Sequence, residues 1–243
     1  MQDSQAVAKR VALTKLGYTI KTKPGVSIVA IGQSTAPVAR VLTCGDTIRE
    51  VDGTRIGDQA ALGAVIAKHK PGESITVAFE RAGKRITQRI ALIRDDKGAT
   101  RLGVLVSPVV AYPFDIAIDT GEIGGPSAGL AMTLTLLDEL TPGELTGKQK
   151  IAATGTIEPD GTVGEIGAID LKAIAVQRRN AKVFLVPACQ EDPKQYPREL
   201  AECLKGIQLA RRNAPRVEVI PVRNLDEALA ELRKHGGDPL PSK

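Results

Sequence analysis

The stretch GEIGGPSAGL at residues 121–130 decides how the second half of this chain is read. Glycines, a proline and a serine stand ahead of AGLAMTLTLLDEL (128–140), whose apolar spacing reads as helix. Pro126 suits the first helical position, since its missing N–H is not needed there. Ser127, placed at the mouth of that helix, has three readings. It is a helix cap, part of a phosphate cradle, or a nucleophile.

A phosphate loop needs a longer pattern than this turn offers. The nearest stretch, GELTGKQ (143–149), has too short a gap and ends in Gln where Ser or Thr is required. A nucleophile needs a base, and the chain holds only His69 and His235, each in polar surroundings. Lysine is the other base that serine enzymes use, once burial lowers its pKa from about 10.4. Lys172 fits that need. In IGAIDLKAIAV its helical neighbours Ala168, Ala175 and Val176 are apolar, and the helix N-terminus disfavours a cation beside it. Asp170 acts in the opposite direction.

GPSAG (125–129), then Thr154-Gly155-Thr156-Ile157, Gly161, Val163, Ile166-Gly167 and Lys172, resemble the proteolytic domain of Lon proteases over about 101–235. The resemblance implies a Ser–Lys dyad, Ser127 as nucleophile and Lys172 as general base, with the Thr154 hydroxyl holding the lysine amine. Pro126 has no N–H, so an oxyanion hole would draw on the amides of Ser127 and of Gly125 or Gly124. The sequence departs from the family twice. Gly124 stands where many members have an acidic residue, and Gly167-Ala168 replaces a Gly-Gly pair, a change expected only to tighten packing.

Around these landmarks LGVLVSPVV (102–110), FDIAID (114–119), KIAATGTI (150–157), KVFLVPA (182–188) and VEVIPV (217–222) read as strands. Helices are expected over 167–181 and 225–237, and a hairpin turns at Glu158–Gly161. Strand and helix alternate, which gives an α/β (α+β) domain.

The first half is different. A short helix over 4–17 stops at Gly17, and four β-branched segments follow, SIVAIG (27–32), DTIREVDG (46–53), SITVAFERAG (74–83) and RITQRIALI (85–93). A helix over 59–70 interrupts them. The phrases GDTIREVDG (45–53) and PGESITV (71–77) resemble a PDZ domain over roughly 24–93. PDZ domains bind a peptide C-terminus by adding a strand to a sheet edge, beside a short glycine-containing carboxylate loop. Leu16-Gly17-Tyr18-Thr19 is the candidate for that loop. The expected layout is 1–23 helix and lead-in, 24–93 PDZ-like domain, 94–101 linker and 102–243 Lon-like domain. The whole resembles bacterial PDZ-containing Lon-like proteases.

Composition bounds the rest. Aromatics are 2% and Trp is absent, so the core must be aliphatic. Residues 1–100 carry 16 basic and 9 acidic side chains, a balance of +7, against 17 and 19, or −2, in the remainder. Without interleaved aromatics for bases to stack on, that basic half reads as a solvated face rather than a nucleic-acid site. The three cysteines, Cys44, Cys189 and Cys203, form no metal-binding pair. Reduced cysteines are expected, with a single Cys189–Cys203 bridge as the alternative. No apolar run reaches the ~18 residues of a membrane helix.

The resemblance implies an ATP-independent endopeptidase acting on unfolded or flexible protein segments without metal or cofactor. The PDZ-like domain would present substrate or take a C-terminal peptide. It further implies tethering through an N-terminal membrane anchor, the extracytoplasmic face of the cell membrane as location, and ring-like homo-oligomers. The alternative class is a peptide-binding adaptor built on an inactive Lon-like scaffold.

Overall fold

The computed structural model describes residues 2–33, 35–119, 125–190 and 194–241, which form two compact units. One unit covers Ile20–Asp115; the other combines Asp3–Thr19 with Ile116–Lys243.

The first unit is an antiparallel sheet. Its strands are β1 (Lys21–Ile31), β2 (Thr47–Val51), β3 (Thr54–Arg55), β4 (Ser74–Arg81) and β5 (Lys84–Ala91), with α2 (Gln59–Ile66) between β3 and β4. The small hairpin β6 (Ile93–Arg94) and β7 (Thr100–Arg101) then leads to β8 (Val104–Ala111). The main sheet runs β5-β4-β2-β1-β8, with β3 paired to β2. Alternation places Ile75, Val77 and Phe79 of β4 in a core with Val26, Ile28, Ile48 and Val51. Two tight turns make the hairpins. Asp52-Gly53 and Ala82-Gly83 each hold two successive residues at positive φ, as the right-handed twist of paired strands favours. Asp58 caps α2 by accepting from the Ala61 amide at 2.8 Å.

An ion pair between the buried Asp46, just ahead of β2, and the more exposed Arg81 at the end of β4 ties this sheet together. Arg81 donates to both carboxylate oxygens of Asp46 (2.8 and 2.7 Å) and to the Val41 carbonyl, while the Thr43 amide donates to Asp46. Burial alone would raise the Asp46 carboxyl, but the Arg81 and Thr43 bonds outweigh it and hold it below its ordinary value.

Two strands differ from the sequence expectation. Residues 104–111, expected to open the second domain, pair antiparallel with β1, Ser27 opposite Ser107 and Ile31 opposite Val104. Pairing partners are a long-range property, and an apolar run does not announce them. Residues 114–119 form no strand, although Ile116 and Ile118 pack against the core of the second unit.

In the second unit α1 (Gln2–Lys15) is followed, after the first unit, by α3 (Gly129–Leu140), β9 (Ile151–Ala153), β10 (Thr156–Ile157) and β11 (Val163–Gly164). Then come α4 (Ile169–Arg178), β12 (Val183–Pro187), α5 (Pro197–Asn213), β13 (Glu218–Val222) and α6 (Leu225–Lys234). The sheet β13-β12-β9 is parallel, and β10 and β11 form the expected hairpin. The central strand β12 is buried on both faces, which is why it reads as an unbroken apolar run. Val183 and Leu185 face a core with Leu130, Leu137, Val222 and Leu229. Phe184 and Val186 face a second core with Ile169, Ala173, Ile207 and Val219. Ala8, Val11 and Ala12 of α1 join the first of these cores.

Helix α5 has no counterpart among the sequence-expected elements. Its position explains a second correction: Cys203, on α5, and Cys189, just beyond β12, are joined in a disulfide with Cα atoms 5.7 Å apart. The expectation of reduced cysteines holds only for the exposed Cys44.

Candidate active site

Ser127 lies in a single 3-10 turn, Pro126–Ala128, that runs directly into α3. Gly125 before it has φ 89° and ψ 164°, a conformation that residues with a Cβ rarely adopt. The helix start is pressed onto neighbouring backbone. A Cβ on Gly129 would lie 2.7 Å from the Ile157 nitrogen, so only glycine permits this approach. The Gly155 amide donates to the Ser127 carbonyl (2.8 Å), and the Leu130 amide donates to the Gly155 carbonyl (3.1 Å). The serine backbone is thus clamped to the segment between β9 and β10.

That segment contributes Thr154, 5% exposed. Its hydroxyl donates to the same Ser127 carbonyl oxygen at 3.0 Å. Lys172 Nζ donates to Thr154 Oγ1 at 3.3 Å. One hydroxyl therefore links the serine backbone to the lysine amine. Lys172 sits in the first turns of α4, its amide donating to the Ala168 carbonyl. Burial pushes its amine below the ordinary lysine value. The apolar sheath expected from its helical neighbours is only partial, because Ala168 and Ala175 are exposed and Val176 half-buried.

Ala168 itself is the N-cap of α4 at φ 58°, ψ 40°. The Gly-Gly to Gly-Ala change therefore acts on backbone conformation, since the exposed Ala168 has nothing to tighten.

Ser127 is not a helix cap. Gly125 and Ala128 hold the cap positions, and among the described residues no hydrogen bond engages Ser127 Oγ. Among the same residues, no acceptor is bonded to the amides of Gly125 and Ser127. Gly124, the other expected oxyanion donor, lies outside the described residues. The histidines are occupied elsewhere: His69 lies 3.2 Å from both Asp52 and Glu73, and His235 lies 3.7 Å from Glu218. Among the described residues no cluster of potential metal ligands occurs.

Two families match the chain, the PDZ domain over residues 13–92 and the Lon protease (S16) C-terminal proteolytic domain over 114–227. The chain joins a PDZ domain to a Lon-type proteolytic domain. Relatives include a Lon protease of Phenylobacterium zucineum, 31% identical over 60% of this chain and 19% of that protein. A Lon protease of Trichlorobacter lovleyi is 32% identical over 43% and 11%. The chain thus spans about a fifth or less of these relatives' length. A crystal structure of the PDZ domain of an SdrC-like protein from Listeria monocytogenes is 26% identical, with a TM-score of 0.34, covering 35% of this chain and 90% of that one.

Within the PDZ unit, β8 is an edge strand, and α2 lies beside it. A cavity of about 780 Å3 opens between them, lined by Leu62 and Ile66 of α2, by Val104 and Val106 of β8, and by Leu102-Gly103. The glycine turn that precedes the edge strand is therefore Leu102-Gly103, with Gly103 at φ 88°. Gly17, Tyr18 and Thr19, expected to form this loop, do not line the cavity. They close α1 instead, with the Gly17 amide on the Thr14 carbonyl and the Tyr18 amide on the Leu13 carbonyl. Arg101-Leu102-Gly103-Val104, a glycine immediately before a β-branched run, was the available signal.

Proposed function

We propose that the protein is an ATP-independent serine endopeptidase in which Ser127 attacks and Lys172 serves as general base. The observation that carries this reading is the Lys172–Thr154–Ser127 linkage. Thr154 gives its only proton to the Ser127 carbonyl, so its oxygen can act only as acceptor toward Lys172. A neutral amine bound through one N–H keeps its lone pair for another proton. Desolvation lowers the amine's pKa and so eases formation of the neutral form.

Lys172 takes the Ser127 hydroxyl proton as Oγ bonds to the peptide carbonyl carbon. The amides of Ser127 and Gly125 meet the developing oxyanion, with the dipole of α3 behind them. The protonated lysine then returns its proton to the departing amine as the C–N bond breaks. Water, deprotonated by Lys172, releases the acyl group, and the proton passes to Ser127 Oγ. Thr154 is a positioning residue for this cycle.

The β8–α2 cavity supports recruitment of an extended peptide, its C-terminal carboxylate at Leu102-Gly103. The substrates are flexible or unfolded segments, whose extended backbone such a cavity admits. The Cys189–Cys203 bond fits an oxidising, extracytoplasmic setting. Among the described residues no helix is long and apolar enough to cross a membrane.

Intact mass after treatment with a fluorophosphonate tests the reading. The expected result is one adduct at Ser127, unaffected by ATP and absent from Ser127→Ala. An adaptor built on an inactive scaffold would bind peptide through the PDZ domain and take no adduct.

A further inference from the structure

Strand β9 is the outer strand of the parallel sheet. In such a ladder alternate residues bond the neighbouring strand. The Lys182 amide donates to the Lys150 carbonyl and the Thr154 amide to the Leu185 carbonyl, both at 3.0 Å. Residues 150, 152 and 154 therefore face β12, and Ile151 and Ala153 turn their N–H and C=O groups to the open edge. Among the described residues nothing bonds them there.

Beside this edge lies one stripe of α4. Lys172, Ala175, Val176 and Arg179 follow the spacing of a single helical face. Between strand and helix an open cleft of about 660 Å3 has an apolar floor, including Ala152, Ala175 and Val176, and a rim carrying Lys150 and Arg179. Both rim cations are exposed, and among the described residues neither pairs with a carboxylate. The cleft begins where the candidate site ends. From Thr154 back to Ile151 is about 10 Å of strand, and from Lys172 to Arg179 is about 10 Å of helix.

We infer that this cleft holds the substrate chain as a strand added to β9. An apolar side chain lies on the Ala152–Val176 floor and an acidic side chain at the Lys150 and Arg179 rim, about three residues from the scissile bond. The unpaired edge supplies backbone bonds that any extended chain satisfies. The floor and the rim supply the preference. Commitment to a substrate segment rather than another partner follows from the edge leading straight into Thr154. This inference rests on the endopeptidase reading and adds a substrate class to it.

The test is cleavage-site profiling of an unfolded protein digest with the full chain and with the Lys150→Glu/Arg179→Glu double variant. The native chain is expected to favour an acidic residue about three positions from the cut, and the variant a basic one. For a peptide matching the motif, kcat/KM should fall about fivefold or more in the variant. For a peptide of the same length without charge, kcat/KM should fall much less than for the motif peptide. No acidic preference in the native chain, or the same profile in both, overturns the inference. If neither cleavage nor Ser127 labelling occurs, the endopeptidase reading has failed, and fluorescence anisotropy of the motif peptide still decides the cleft. Weaker binding to the charge-reversed variant supports it; equal binding refutes it.

Discussion

Replacing Thr154 by Val removes one oxygen and keeps nearly the same volume, so it isolates the hydroxyl's role. Two bonds are lost, one to the Ser127 carbonyl and one to Lys172 Nζ. The carbonyl remains satisfied by the Gly155 amide at 2.8 Å. The lysine amine loses its only hydrogen bond among the described residues. A bond of this kind is worth about 1–2 kcal/mol, which corresponds to a fall of roughly five- to thirtyfold in kcat at the high-pH plateau. The pH profile should move as well. An acceptor oxygen favours the charged amine, so its removal lowers the Lys172 pKa further and shifts the rising limb toward acid. Steady-state cleavage of an unstructured protein between about pH 5 and 10 reads both effects. Thr154→Ser should restore most of the rate. A merely structural threonine would lower thermal stability and leave the profile in place. Thr154→Val with native kcat and a native profile would refute the linkage as the organising feature of the site.

Other consequences follow from the backbone and the charges. Ala168→Gly relieves a left-handed residue worth about 1 kcal/mol, partly offset by the freer unfolded chain; thermal melts should show slight stabilisation with activity retained. Gly129→Ala gains helix propensity but places a Cβ 2.7 Å from the Ile157 nitrogen. It should cost about 1–3 kcal/mol in denaturant unfolding and lower kcat by displacing Ser127. Asp46 is depressed in the folded state, so its contribution to stability is complete above the ordinary carboxylate value of 3.8 and is lost as pH falls from there through the folded-state value. Removing its partner with Arg81→Met should flatten that acid limb in melts taken across the range.

The site was more legible in the sequence than the boundaries around it. Gly125, Pro126 and Gly129 restrict the backbone locally and so report their surroundings, whereas the apolar neighbours of Lys172 overstate its enclosure, since Ala168 and Ala175 are exposed. Strand partnership is not local. Residues 104–111 are half-exposed and read alike whether they open a new domain or close an earlier sheet. Because β8 is the last strand of its sheet in sequence order yet borders the cavity beside α2, the glycine turn ahead of the edge strand stands at Gly103, far in sequence from the Gly17 turn that precedes the sheet's first strand. Residues 114–119 alternate like a strand and do pack Ile116 and Ile118 inward, but no ladder partner completes them. Helix α5 buries only Ile207 and Ala210 fully, and Gly206 interrupts its pattern, although Pro197 at its start and Arg211-Arg212 at its end were usable signals.

The central claim is that Ser127 and Lys172 act as one unit. The most direct measurement is the cleavage rate of an unstructured protein by the native chain, Ser127→Ala, Lys172→Ala and the double variant, each checked for folding by circular dichroism. Each single variant should lose cleavage as completely as the double, because a nucleophile without its base gains nothing from remaining. Retained cleavage by folded Lys172→Ala would contradict the account.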